Sequence, residues 1–283
     1  MYRNLSKTFK YVNEAGESIV FEFEKGFLIN KPVGIDTVQI SFAQAQGINQ
    51  IGATVQSQNI QPRSVNVSGI LVGEFQNDNK ERLLSIIRPD MSGRFYADDY
   101  YLNVYPTATP TIGAANRFSP FQFSLLAPYP FWQQDRSAKI VLSGLNYRFR
   151  LPANFSRPYK FADAMETQFI NVVNMGQLPA PFTVTFSARG DCENPIITNA
   201  VTGEFLKIEK EMVSGERITV QITHGKTYIT SSIDGDIRGA LTLDSNLTRL
   251  QVGDNILKPD ADSGANALEV DIDFATEKVG VYV

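Results

Sequence analysis

The stretch FQFSLLAPYPFWQQD, Phe121–Asp135, lies near the midpoint of a chain of 283 residues. Its first half alternates apolar and polar residues, which indicates a strand with one buried face. Its second half contains Pro128, Pro130 and Trp132, the single tryptophan of the chain. Because proline fixes φ and donates no hydrogen bond to a sheet, the strand is predicted to end here. Phe131 and Trp132 are predicted to anchor the departing chain against a domain surface, which makes this stretch an inter-domain joint.

The length of the chain also predicts more than one domain. A mass of 31.5 kDa is about twice that of a usual single domain. We therefore predict a first domain over residues 1–135, a connector over residues 136–164 and a second domain over residues 165–283. Within the connector, residues 136–160 contain six basic and no acidic residues. This segment is either a solvated linker or a basic face for an acidic partner surface.

The composition is that of an ordinary folded protein. Hydrophobic residues make up 43% of the chain, charged residues make up 20%, and the net charge is -4. Neither half has the basic excess of a nucleic-acid binder. No segment has the apolar run of a signal peptide or a membrane span, so we expect synthesis in a cytoplasm and no membrane partner. Cys192 is the only cysteine, which excludes an internal disulfide.

Short strand-like segments dominate the pattern. They alternate apolar and polar residues and are separated by Gly, Asn, Asp or Pro, as in antiparallel sheets. The segments are Ser18–Phe23, Arg63–Val72, Tyr100–Tyr105, Pro181–Phe186, Arg217–Ile222, Lys226–Ile233 and Ala267–Phe274. In the second half of the chain, turn signals recur roughly every 8 to 12 residues, which is the spacing of a β-sandwich.

One segment, NDNKERLLSIIRPD, predicts a helix in the first half. Asp78 is placed as its N-cap, with Glu81 three residues later in a capping-box spacing, and Pro89 ends the helix. The predicted helix covers Asn79–Arg88. Its apolar face is formed by Leu83, Leu84, Ile86 and Ile87. The predicted fold class is therefore mainly β, with an N-terminal α+β domain that has one main helix and a C-terminal β-sandwich.

The sequence has little of the inventory that catalysis needs. His224 is the only histidine, and it precedes Gly225 between two strand patterns, which favours a hairpin turn and a structural role. A Ser-His-Asp or Cys-His system would have to use this one histidine, and Cys192 lies in no cysteine-specific motif. Zinc sites need three or four His or Cys ligands, and the chain has two such residues in total.

Paired carboxylates are the remaining catalytic candidates, because a glycosidase needs only two acids at the right separation. The candidate pairs are Asp98 with Asp99 and Asp234 with Asp236, and both pairs fit turns or strand edges equally well. No glycine-rich phosphate loop is present. We therefore expect no enzymatic activity, no catalytic residues, no cofactor and no metal, and we expect a protein that works by binding and assembly.

The order of these features resembles one known family. RSVNVSGILVG, the helix KERLLSIIRP and the strand FSPFQFSLLAPYPFW are similar to the first domain of the distal tail proteins of siphophages and their prophage copies. In the second half, VVNMGQLPAPFTVTF, ENPIITNAVTGEFLKI, SGERITVQI and LQVGDNIL resemble the turns and strands of that family. Each pattern is weak by itself. The specific signal is their order over nearly the whole chain.

The resemblance implies a structural virion protein at the tail tip, the baseplate hub, made in the cytoplasm of the bacterial host. First domains are implied to form a homo-oligomeric ring, typically hexameric, that continues the tail tube and lets DNA pass without sequence-specific binding. Tail tube, tape-measure, tail-associated and receptor-binding proteins are the implied partners. The second domain is implied to be galectin-like.

Two other functions stay open at this point. A carbohydrate-binding protein is the first alternative, because sandwich sugar sites use exposed aromatic platforms and Tyr228 is a candidate for one. An acid-pair glycosidase is the second alternative.

Overall fold

The computed structural model of the chain describes residues 7–73, 76–113, 118–143, 145–147, 162–164 and 169–282. The chain divides into two compact units. Unit 1 comprises Met1–Asp135 together with Glu277–Val283, and unit 2 comprises Arg136–Thr276. Residues 148–161 of the predicted connector lie outside the described residues.

Unit 1 is built on antiparallel strands. Up to the unit boundary they are β1 (Phe9–Asn13), β2 (Ser18–Phe21), β3 (Phe27–Ile29), β4 (Ile40–Ala45), β5 (Thr54–Ile60), β6 (Arg63–Leu71), β7 (Gly93–Ala97), β8 (Tyr100–Pro106), β9 (Thr111–Ile112), β10 (Ser119–Ala127) and β11 (Trp132–Gln134). The main sheet has the order β2-β1-β7-β8-β10-β6-β3, while β4 and β5 form a separate two-stranded sheet. A single 3-10 turn, Phe23–Lys25, precedes β3 among the described residues.

The two longest strands of unit 1, β6 and β10, bury every second residue, as period-2 alternation requires. They pair over their full length, from Ser119 opposite Leu71 to Ala127 opposite Arg63. The side chains that they bury join one cluster with those of β1, β7 and β8. The alternating stretch before Pro128 is therefore a strand with one buried face, as predicted.

The helix α1 covers Gln76–Ile86 and packs against β2 and β6. The predicted bounds were wrong by a few residues, because Asp78 lies in the first turn and Ile87 follows the last one. Asp78 is therefore not the N-cap. Leu84 is exposed, whereas Asn79 is buried and its Nδ2 donates to the carbonyl oxygen of Lys25 at 2.9 Å. The core face consists of Asn79, Leu83, Ile86 and Ile87.

Unit 2 is a β-sandwich. Its strands are β12 (Ala138–Ser143), β13 (Leu145–Tyr147), β14 (Ala162–Ala164), β15 (Ile170–Asn174), β16 (Phe182–Ala188), β17 (Cys192–Asn199), β18 (Phe205–Lys207), β19 (Glu211–Met212), β20 (Arg217–Ile222), β21 (Thr227–Ser231), β22 (Gly235–Asp236), β23 (Gly253–Ser263) and β24 (Leu268–Phe274). The two main sheets have the orders β12-β24-β16-β20-β21-β22 and β15-β23-β17-β18, and β13 pairs with β14 in a separate two-stranded sheet. Short 3-10 turns cover Arg238–Ala240 and Ala265–Ala267.

The inward residues of both sheets of unit 2 join a second buried cluster, which includes Phe186 of β16 and Leu257 of β23. Residues 138–143 had been assigned to the connector, but they form β12 and pair with β24 in this sandwich. The predicted fold class, mainly β with one main helix in the first part and a sandwich in the second, is confirmed. No helix among the described residues is long and apolar enough to cross a membrane.

Candidate functional site

The chain leaves unit 1 after Asp135 and re-enters it at Glu277, and the two crossings are neighbours in one sheet. The returning segment forms β25 (Glu277–Lys278), which pairs with β11 through Trp132 opposite Lys278 and Gln133 opposite Glu277. The other edge of β11 pairs with β8. We call this region of unit 1, formed by residues 34–36, Arg63, 129–134 and 277–281, the junction.

Trp132 is fully buried at the centre of the junction. Its indole Nε1 donates to the carbonyl oxygen of Ile35 at 2.9 Å, and its ring centroid lies 6.3 Å from that of Phe95. A buried indole needs such an acceptor, because an unpaired N–H in the core would cost free energy. The same carbonyl oxygen accepts the backbone N–H of Val281 at 3.2 Å. One carbonyl group thus holds both the departing and the returning segment.

Arg63 is the buried cation of the junction, with 3% of its surface exposed. Its Nε donates to the carbonyl oxygen of Pro130 at 2.6 Å, its Nη1 to that of Gly34 at 2.8 Å, and its Nη2 to that of Val279. Burial lowers the pKa of Arg63 to about 10, although the charge of Asp36 opposes this shift. The planar guanidinium therefore ties together three segments of unit 1 that are distant in sequence.

Gly34 explains why the first of these segments comes so close to β6. It has φ +91°, and a Cβ at this position would lie 2.1 Å from the carbonyl oxygen of Ser64. Only glycine fits such a backbone conformation and such an approach. The turn at Gly34 thereby brings its own carbonyl group within reach of Arg63 and the carbonyl group of Ile35 within reach of Trp132.

Glu277 completes the junction on the returning strand. It is buried, and its carboxylate accepts hydrogen bonds from Tyr129 Oη at 2.7 Å and from Gln133 Nε2 at 3.3 Å. Lys278, the next residue, lies over the ring of Tyr100 at 4.1 Å. Each side chain of β25 is therefore held by groups of unit 1.

The four residues predicted to form the inter-domain joint occupy different environments. Pro128 is exposed, Pro130 and Trp132 are buried, and Phe131 is half-buried with its ring edge-to-face against that of Tyr129. The structure brings Pro130 and Trp132 together with Arg63, and it leaves Pro128 outside. That this stretch aims the second domain stays a prediction.

A second candidate site is the hairpin of β4 and β5, which we call the arm (residues 39–61). Every residue of both strands is exposed. Ile40 lies opposite Ile60, and Phe42 follows two residues later on the same face, so the arm presents an apolar face. Its base is closed by a hydrogen bond of 2.8 Å from the backbone N–H of Gln61 to the carbonyl oxygen of Gln39.

The arm also lacks charge. Residues 37–62 are 26 consecutive positions without Asp, Glu, Lys, Arg or His, whereas the average composition predicts about five charged residues in that length. Natural proteins usually protect edge strands with charged residues, proline or bulges. The arm has a register shift after Ala43, but its strands contain no proline and no charge. Apart from this register shift, the arm therefore lacks the usual protection of exposed edge strands.

The candidate carboxylates are held by neighbouring cations and amides. Asp98 accepts hydrogen bonds from Lys7 Nζ at 2.6 Å and from the backbone N–H of Thr8 at 2.9 Å. Burial opposes the ionisation of Asp98, but these hydrogen bonds outweigh it and lower the pKa of the carboxyl. Asp234 accepts from Lys210 Nζ at 2.5 Å. A glycosidase acid needs a raised pKa, which Asp98 does not have.

The other candidate side chains lie in ordinary structural positions. His224 lies in the turn between β20 and β21, as predicted, where the backbone N–H of Thr223 donates to the carbonyl oxygen of Lys226 at 2.9 Å. Cys192 is buried, and burial raises the pKa of its thiol to about 11. Within the described ranges, no three His, Cys, Asp or Glu side chains are grouped to hold a metal. That the chain is not an enzyme stays a prediction.

Comparison with known proteins gives this fold and these sites their context. Residues 175–279 match the family model described as the C-terminal domain of the siphovirus-type tail component. Over these residues the chain is similar to the siphovirus-type tail component family, in agreement with the resemblance to siphophage distal tail proteins. The match covers most of the unit 2 sandwich, so the resemblance read from the sequence is confirmed. No curated protein matches this chain in sequence.

Solved structures extend the comparison to nearly the whole chain. The Dit protein of phage SPP1, described as a paradigm of the hub adsorption apparatus in phages that infect Gram-positive bacteria, has a TM-score of 0.69 at 14% identity. The alignment covers 95% of this chain and 98% of that one, which shows that the two share a fold. A chain of the phage P2 baseplate in its activated conformation with Ca has a TM-score of 0.49 at 9% identity over 98% and 100% of the two chains.

Sequence reasoning missed most residues of both sites. Arg63 and Glu277 look like ordinary polar positions at strand ends, and only the fold brings them together. The arm did carry a signal, since the long uncharged stretch is visible in the sequence. By itself the uncharged stretch does not predict an exposed strand edge. The structure adds that β4 and β5 form a two-stranded sheet of their own among the described residues.

Proposed function

We propose that this distal tail protein is a structural hub of a siphophage tail tip, in which copies of unit 1 associate head to tail into a closed, hexameric ring. The ring continues the tail tube and leaves a channel for DNA. Unit 2 offers the surface to which tail-associated and receptor-binding proteins attach. Two observations support this proposal: residues 175–279 match the siphovirus-type tail component family, and the chain shares its fold with SPP1 Dit, which is described as a hub of an adsorption apparatus. The protein is made in the host cytoplasm and ends in the virion.

The arm is the observation that carries the proposal. An isolated two-stranded hairpin is marginally stable in water, and this one exposes an apolar face formed by Ile40, Phe42 and Ile60. Its outer strand edges offer backbone N–H and C=O groups for pairing with another strand. Burying this face and these edges against a partner would remove the apolar surface from water and would pair the backbone groups of the edges.

A second copy of the same chain is the partner that best fits the arm. Because the arm lies within 26 uncharged residues, 37–62, its partner surface needs no charged groups, and every copy supplies an arm of the same chemistry. A head-to-tail contact between identical chains propagates until it closes. A closed ring leaves no unpaired arm, which is the condition under which such an unprotected edge stays soluble.

The mass of the assembly tests this proposal. Six copies of 31.5 kDa weigh 6 × 31.5 = 189 kDa, and light scattering of the purified protein, or of the protein mixed with tail tube partners, should reach this mass for its ring. Phe42→Lys should keep the protein monomeric, because it places a charge on the apolar face of the arm. Negative-stain images should show rings for the wild type and none for this variant.

Val213→Lys is the matched control for the arm variant. Val213 is exposed to 51% and Phe42 to 50%, so both substitutions add the same charge at equally exposed apolar positions. The control should assemble as the wild type does. A wild-type protein that stays monomeric and never joins a tail would disprove the ring, and full assembly of Phe42→Lys would show that the arm does not form it.

One observation favours a second function, the binding of a saccharide to unit 2. Tyr228 is exposed and stands in a row across the sheet with Gln221, Thr183 and Asp273. An aromatic ring beside hydrogen-bonding side chains is the usual composition of a sugar platform. Glycan-array binding that is lost in Tyr228→Ala would favour this function, and the absence of any bound glycan would remove it.

A further inference from the structure

The returning segment, residues 277–282, belongs to unit 1 although the whole of unit 2 precedes it in the sequence, and Glu277, Gly280 and Val281 are its buried residues. Val281 is buried in the unit 1 cluster, and its backbone N–H donates to the carbonyl oxygen of Ile35. Gly280 packs so closely that a Cβ there would lie 2.6 Å from the carbonyl oxygen of Asp36. This part of unit 1 is therefore shaped around the segment.

Without the segment, buried groups of unit 1 would lose their partners. Arg63 Nη2 would lose its acceptor on Val279, which would leave a charged donor unpaired. Tyr129 and Gln133 would lose the carboxylate of Glu277. The side chain of Trp132 would lose cover, because β25 pairs with β11 directly beside it. Unpaired buried donors and exposed core surface are both destabilising.

We propose that residues 277–282 act as a closing strap, such that unit 1 reaches its folded, assembly-competent state only when this segment docks into the junction. Translation produces the strap after unit 2, so unit 1 is completed only in chains that already contain unit 2. Chains that stop before residue 277 would then stay out of the ring. This last consequence rests on the proposed function, whereas the docking step does not.

The docking step is tested in the full-length chain with two aspartate substitutions. Val281→Asp places a charge in the core of the junction, and Tyr282→Asp is its control, because the neighbouring Tyr282 is 78% exposed. Trp132 is the only tryptophan, so its emission reports on unit 1 alone. Val281→Asp should shift this emission to longer wavelength and speed amide exchange in β6 and β10 by at least about tenfold, with β16 and β24 unchanged. Tyr282→Asp should match the wild type in both measurements.

A peptide that comprises residues 275–283 separates docking from a general loss of core stability. Added to the Val281→Asp chain, the wild-type peptide should restore the Trp132 emission in a saturable way, while a peptide that carries the same aspartate should not. The strap is disproved if Val281→Asp keeps wild-type emission and exchange. It is also disproved if the wild-type peptide fails to close the opened unit 1.

Light scattering with tail tube partners tests the assembly consequence separately. The Val281→Asp chain should stay monomeric under conditions in which the wild type assembles, and addition of the wild-type peptide should restore assembly. Assembly of a chain whose Trp132 emission shows an open unit 1 would overturn this consequence. If the wild type itself never assembles, the proposed ring fails, but the emission and exchange measurements still decide whether the strap exists.

Discussion

Arg63 donates a hydrogen bond to the carbonyl oxygen of Val279, a residue 216 positions later in the chain. The same guanidinium donates to the carbonyl oxygens of Gly34 and Pro130, so one side chain connects the turn at Gly34, the departing segment and the returning segment. These three hydrogen bonds can form together only when the departing segment and the returning segment are both docked in the junction. The junction therefore links the integrity of unit 1 to the path of the chain through unit 2.

Arg63→Lys should destabilise unit 1 by about 2–4 kcal/mol, because an ammonium group cannot reproduce the three directed donors of the guanidinium and leaves buried carbonyl groups unpaired. Urea unfolding followed by Trp132 emission measures the loss. Arg217→Lys, at an exposed position on β20 of unit 2, should leave the midpoint unchanged. An unchanged midpoint for Arg63→Lys would show that the buried hydrogen bonds contribute nothing.

The helix offers an adjacent pair of leucines with opposite exposure. Leu83 is fully buried and Leu84 is 46% exposed. Leu83→Ala should cost about 2–5 kcal/mol, as expected for a core truncation, and Leu84→Ala should change the free energy of unfolding by no more than about 0.5 kcal/mol. Equal losses at the two positions, measured by urea unfolding, would contradict the observed orientation of α1.

The buried hydroxyl of Tyr11 should make the stability of unit 1 depend on pH in the alkaline range. Its hydroxyl is buried without a hydrogen-bond partner among the described residues, and burial, aided by repulsion from Glu14, raises its pKa from 10.0 to about 12. Because the folded state keeps the proton more tightly than the unfolded state, the contribution of Tyr11 to stability is constant below pH 10 and is lost as the pH rises from 10 to about 12.

Tyr11→Phe should remove this fall, because phenylalanine has no proton to lose. At neutral pH the variant should be as stable as the wild type or up to about 1 kcal/mol more stable, since it eliminates an unpaired buried hydroxyl. Urea midpoints of both proteins at pH values on either side of 10 provide the test. Parallel curves for the two proteins would show that Tyr11 does not cause the alkaline loss.

The unit boundaries predict how unit 2 can be isolated. A fragment of residues 136–276 contains both sheets and the whole second core, so it should fold as a monomer. A fragment of residues 165–283, cut at the predicted domain boundary, lacks β12 and the buried Leu142 and should melt at a lower temperature. Circular dichroism compares the two fragments. Equal melting temperatures would mean that β12 is dispensable to the sandwich.

The sequence by itself determined some of the strands, because period-2 alternation reflects burial of one sheet face. Arg217–Ile222 was predicted with its observed bounds, and the end of the strand before Pro128 follows from the chemistry of proline. The order of motifs along the chain gave the resemblance to siphophage distal tail proteins, which the match of residues 175–279 supports. Helix bounds were less certain, because Asp78 satisfies a capping pattern that the first turn of a helix also tolerates.

Only the tertiary structure decided which distant residues meet. Nothing in the local pattern around Glu277 tells that it pairs with Gln133 or accepts a hydrogen bond from Tyr129, because those contacts join segments separated by unit 2. The exposure of the arm is likewise a tertiary property. Residues 40–45 alternate like a half-buried strand, and they are exposed because the sheet places no second layer over them. Local periodicity shows which residues form strands. Which strands are covered by a second layer depends on pairing between distant segments, and local periodicity does not reveal that pairing.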